Sequence, residues 1–177
     1  MLDDLIDARR LAVVVVTAVP VLVVVATVVL AQLRERRPAT ARAWLLALTA
    51  VCLGAVALLT LPPRQGTPHV RVAPVLDPWT TLQHVFAGDG RREAVAFALA
   101  NLLMLFPLGC FLGLLVRPWW ALLLVLATSV AIETLQWLMA VGREPDAADV
   151  LLNTVGGAVG VLVAATCAAL SGRQSRR

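Results

Sequence analysis

Apolar residues run almost unbroken through five stretches, about 11–33, 43–61, 94–116, 119–141 and 150–170, and charged residues are confined almost wholly to the gaps between them. Each stretch reaches or approaches the roughly 20 residues that a hydrocarbon core of about 30 Å requires at about 1.5 Å per residue. Lipid offers no water to satisfy open backbone groups, so all five are predicted to be helices. The first, "LAVVVVTAVPVLVVVATVVL", is rich in β-branched valine and would suggest a strand in water; its length and surroundings overrule that, and Pro20 predicts a bend. It also exceeds the apolar core of a cleaved signal peptide, so it is read as a retained span. The expected fold class is all-α, a polytopic integral membrane bundle of about five transmembrane helices.

The longest gap, 62–93, carries its own pattern. Prolines at 62, 63, 68 and 74 keep its first half extended. "DPWTTLQHVF" then offers Asp77 as N-cap and Pro78 at the first helical position, with Trp79, Leu82, Val85 and Phe86 on one side. A short helix lying in the membrane interface and anchored by Trp79 is predicted here. "GDGRR" supplies the turn into the third span. His69 and His84 have no nearby ligand pattern and are read as solvated or interfacial groups.

Composition agrees with the pattern. The chain of 177 residues is 60% hydrophobic and 15% charged with a mean hydropathy of +0.86, values of a membrane protein. All 15 basic residues are arginine, and neither lysine nor tyrosine occurs, which suggests a GC-rich bacterial genome. The net charge of +4 then reports topology, and no nucleic-acid partner is expected. Cys52, Cys110 and Cys167 lie in apolar runs without CxxC spacing and are read as reduced structural thiols. Arg34, Arg36, Arg37 and Arg42 crowd one short gap, and Arg173, Arg176 and Arg177 end the chain on the same side of a five-span arrangement. The totals on the two sides are 8 against 7, so density decides. The positive-inside rule then places the amino terminus outside and the carboxyl terminus in the cytoplasm of a bacterial plasma membrane.

Polar residues inside the spans are few. Asn101 and Asn153 are the only asparagines, and Glu133 is the only acidic residue within a span. Gaps 62–93 and 142–149 lie on one face, and depth can be counted from it at about 1.5 Å per residue, giving roughly 10 Å for Asn101, 8 Å for Gln136, 12 Å for Glu133 and 5 Å for Asn153. All four therefore share one half of the membrane, whichever way the chain is inserted. Glu133 and Gln136 share a helix face at i, i+3, as do Asp149 and Asn153 at i, i+4. Gly156 and Gly160 continue the second face, and Gly109 and Gly113 match them on the third span, as small residues that let helices approach closely. Val161 is expected elsewhere around its helix. Pro107 removes a backbone donor beside Asn101 and predicts a bend. One polar pocket is expected, walled by the last three spans and open toward "GREPDAAD".

Structural alternatives stand beside each assignment. A charged group at mid-span costs about 2.5–3.5 kcal/mol on insertion scales, which marks Glu133 as functional unless it is protonated and ties helices together. The asparagines can be interhelical hydrogen-bonding groups. Asp146 can be the N-cap of the last helix and Asp149 a favourable charge in its first turn. Arg143 can be an interfacial anchor.

"NLLMLFPLG" from Asn101 to Gly109, "ETLQ" from Glu133 to Gln136 and "REPDAADVLLNTVGGAVG" from Arg143 to Gly160, in that order, resemble the VanZ-like family of bacterial membrane proteins. "LDPWTTL" is a weaker match, because the family tends to carry an asparagine and then a Pro-Phe pair where this chain has Asp77 and Trp79. The likeness covers about 45–170. It implies a domain over 43–170, preceded by an additional span and loop over 1–42 and followed by a basic tail over 171–177. In its namesake the family is associated with low-level resistance to the glycopeptide teicoplanin; resistance itself is not carried over to this chain.

Three functions are weighed. In the first, a cell-envelope protein binds a lipid-like or glycopeptide-related ligand through Asn101, Glu133, Gln136, Asp146, Asp149 and Asn153, with Arg143 steering an anionic headgroup. Its partners are then membrane lipids and a lipid-linked envelope precursor or glycopeptide. In the second, an intramembrane enzyme acts on a lipid-linked substrate with Glu133 as general base or acid and Asp146 and Asp149 as a second carboxylate or metal site. The pocket, however, lacks a histidine, cysteine or obvious serine nucleophile. In the third, Glu133 couples transport to protons, against which stands the absence of internal repeats. No cofactor and no metal are expected.

Overall fold

The computed structural model describes residues 2–62, 73–87, 91–139 and 145–174. Among them six helices follow in order: α1 (Leu2–Arg36), α2 (Pro38–Thr60), α3 (Pro78–Ala87), α4 (Arg91–Leu115), α5 (Pro118–Leu138) and α6 (Ala147–Gln174). Five are long and apolar enough to cross a membrane, over Val16–Arg36, Pro38–Thr60, Val95–Leu115, Pro118–Leu138 and Ala147–Arg173. The sixth, α3, is the short helix expected in the long gap. Five alternating spans put the end of α2, the start of α4, the end of α5 and the start of α6 on one side, with α3.

Proline sets three of the starts. Pro38, Pro78 and Pro118 each open a helix, where a fixed φ is already helical and a missing N–H leaves nothing unsatisfied. The arginine-rich gap expected at 34–42 is consequently almost all helix, and Arg37 alone separates α1 from α2. α1 runs through Pro20 and α4 through Pro107. Asp77 caps α3 as expected, its carboxylate accepting the Trp79 N–H at 3.0 Å and the Thr80 hydroxyl.

α4 lies at the centre, packed against all five other helices, and its most extensive contact is with α6. Glycine makes that contact possible. A Cβ on Gly156 would collide with the carbonyl of Leu102, one on Gly160 with that of Phe106, and one on Gly109 with that of Gly157. One on Gly113 would stand 2.8 Å from the Ala164 Cβ. Backbone thus lies on backbone, which side chains would prevent. Gly157, which the sequence did not single out, faces the Val125 side chain of α5. Val161 is not turned away: it is buried and joins Val56, Leu105, Leu108, Leu112, Val125 and Ile132 in one core cluster. Its backbone lies against Gly113 of α4, and its cluster takes in Ala121, Val125 and Ile132 of α5, so α6 has a neighbour on each of two faces.

A second cluster joins Leu30 and Ala31 of α1 to Leu45, Phe106, Cys110, Phe111, Leu114 and Ala164. Arg34 seals its end by donating from Nη1 to the Leu114 carbonyl at 2.8 Å, a cation on the negative end of α4. On the outside, Val51, Leu58, Leu59 and Leu162 stand exposed, as residues facing hydrocarbon do. Threonines within the spans satisfy their hydroxyls locally: Thr27, Thr49, Thr60, Thr128, Thr134 and Thr166 each donate to the carbonyl four residues earlier.

Candidate functional site

Glu133 faces inward from α5 and is 8% exposed. The start of α6 meets it. Asp146 caps that helix, its Oδ1 accepting the Ala148 N–H at 2.8 Å, and the Asp146 N–H donates to Glu133 Oε2 at 3.3 Å. Glu133 therefore lies beside the positive end of α6, where unpaired N–H groups and the helix dipole favour an anion.

A strap from the long loop crosses the same place. Val75 donates its N–H to the Pro145 carbonyl and accepts the Ala147 N–H, both at 2.9 Å, in a single parallel bridge. Pro74, Val75 and Leu76 thereby cover a cavity of about 370 Å³. Val130, Thr134, Trp137 and Val150 supply apolar walls, and Glu133 and Asp146 supply the carboxylates. Val130 and Thr134 also line a shallow groove down the outer face of α5, with Leu123, Leu126, Ala127 and Ala131. The cavity and the lipid-facing surface thus share a wall. A volume of several hundred Å³ with mainly apolar lining and few polar groups suits one small ligand or part of a larger one.

The other candidate residues are gathered in the same half of the bundle but not around this cavity. Asn101 donates from Nδ2 to Asp149 Oδ1 at 2.7 Å, joining α4 to α6. Gln136 donates from Nε2 to the Thr60 carbonyl at 3.0 Å, where the last turn of α2 leaves an acceptor open. Asn153 is fully buried, and both its Nδ2 and its Oδ1 lack a hydrogen-bond partner. Arg143 and His69 lie outside the described residues. Trp79 is exposed beside the α3 start, as an interfacial anchor requires.

Ser129 and the strap were missed. Ser129 is buried one turn before Glu133 and donates to the Val150 carbonyl at 3.4 Å; its i, i+4 spacing from Glu133 was a readable signal. The strap had none, since a one-residue bridge between distant loops leaves no periodicity. Among the described residues, no group of three or more histidine, cysteine or acidic side chains is arranged to hold a metal. The cysteines are free thiols.

Neither a protein of curated function nor a solved structure matches the chain. A family profile described as VanZ/LLP1 matches residues 21–168 of the 177, from within α1 almost to the end of α6. The match takes in Asn101, the Glu133 cavity wall and the glycine seam between α4 and α6. This multi-pass membrane protein belongs to the VanZ/LLP1 family.

Proposed function

We propose that this protein binds a membrane-borne amphiphile of the cell envelope, a lipid-like or glycopeptide-related molecule, in the cavity beneath the strap. The observation that carries the reading is a buried carboxylate, Glu133, in the wall of a cavity of about 370 Å³ whose lining is otherwise mainly apolar. Apolar walls take up a hydrocarbon portion at roughly 25 cal/mol per Å² removed from water, which gives affinity without direction. Glu133 and Asp146 supply direction, favouring hydroxyl, amide or ammonium donors on the ligand. Entry is lateral, past Val130 and Thr134 from the groove on α5. By arginine density the cavity lies in the outer half of the membrane.

Native mass spectrometry of the protein extracted with its lipids tests this. The wild type should retain an amphiphile that Glu133→Gln retains about tenfold less or weaker still, since a hydrogen bond to a charged group contributes about 1.5–3 kcal/mol and about 1.4 kcal/mol is tenfold. The variant should still fold, because glutamine offers an oxygen to the Asp146 N–H. Equal retention by the two proteins would end the proposal. Chemical change of the retained lipid with time would replace binding by catalysis, with Glu133 as acid or base. A change in teicoplanin susceptibility in cells carrying Glu133→Gln would connect the cavity to the envelope.

A further inference from the structure

Asn153 is the one described asparagine whose side chain is wholly enclosed and unpaired, and it does not line the Glu133 cavity. Its level in the bundle follows from register. Asn101 bonds to Asp149, and the Cβ position of Gly109 meets Gly157, so the same offset between α4 and α6 recurs one turn to either side of Asn153. That offset places Leu105, itself fully buried, opposite Asn153. Ser129 of α5 stands at the same level through its bond to the Val150 carbonyl. The adjoining Thr154 hydroxyl is buried and unpaired as well.

We infer that the seam between α4, α5 and α6 holds an ordered water bound to the side-chain amide of Asn153, at a site separate from the cavity. The chemistry selects the ligand. An amide leaves one acceptor and a two-proton donor to be satisfied, so its occupant must both donate and accept. Water does both, and internal waters typically make about three hydrogen bonds to groups otherwise unsatisfied. A sodium ion would engage Oδ1 alone and leave Nδ2 bare. The Asn101 amide and Asp149 are already joined to each other, so the vacant bonds belong to Asn153 and its neighbour Thr154.

Radiolytic hydroxyl labelling of the full chain in lipid nanodiscs reads a trapped water, because the radical forms where the water sits. Leu105 should be oxidised several-fold faster than Leu108, which is equally buried in the same core cluster but stands three residues further along α4, away from the level of Asn153. Asn153→Leu should bring Leu105 down to the Leu108 rate, and Asn153→Ser, which keeps a polar group and leaves room, should not. Equal labelling of Leu105 and Leu108 in the wild type would overturn the inference without recourse to any variant. Thermal stabilisation by sodium over choline in the wild type, absent from Asn153→Ser, would overturn it in favour of a cation.

Discussion

Asp77 and Asp146 perform the same task at the starts of two helices, yet only one of them borders a cavity. At Asp77 the Thr80 hydroxyl and then the Trp79 N–H hold the carboxyl below its ordinary value of 3.8. A carboxyl lowered by folding adds stability that is complete above the ordinary value and is lost as pH falls through the lower, folded one. Protection factors along α3, taken against intrinsic exchange at each pH, should therefore be steady from neutral pH down to about the ordinary carboxylate value and should fall below it. Asp77→Ala should be less protected, and equally so, at every pH, and a matching pH dependence of the protection factors in that variant would remove Asp77 as the cause. Asn101, Glu133, Gln136 and Asn153 could be put in one half of the bundle from sequence, because rise per residue needs only counting. Sequence could not assign Asn101 to Asp149 or Gln136 to the Thr60 carbonyl, because partners depend on how each helix is rotated about its axis.

Helices meet here through what their side chains omit. Gly156→Leu or Gly160→Leu would drive a side chain into the α4 backbone, and overpacking of this kind costs about 1–3 kcal/mol or more. Gly54, which has open space around it, serves as the control. Thermal melts in detergent should show the two α6 variants well below the wild type and Gly54→Leu close to it; three similar melts would mean that the seam can open without penalty. The glycine spacing was legible, and so were five apolar helices of spanning length and the short helix α3, since length and polarity are local. Gly157 and Val161 were not, because α6 has a neighbour on each of two faces, and spacing marks one face at a time.

For the whole molecule, orientation is the property the bundle leaves to its ends. In the orientation proposed from arginine density, α3 and the strap face outside and the α1–α2 junction faces the cytoplasm. In a background lacking Cys52, Cys110 and Cys167, an impermeant thiol reagent applied to intact cells should label Leu76→Cys and spare Ala39→Cys. The reverse pattern would invert the protein and move its cavity to the inner leaflet. The dominance of the α4–α6 contact also sets an order of events during synthesis. Asn101 leaves the ribosome 48 residues ahead of Asp149, the side chain that receives its hydrogen bond, and the whole of α5 is made in between. Until α6 arrives, the glycine face of α4 lacks the backbone it packs against, so the bundle is half-built and its last helix is its keystone.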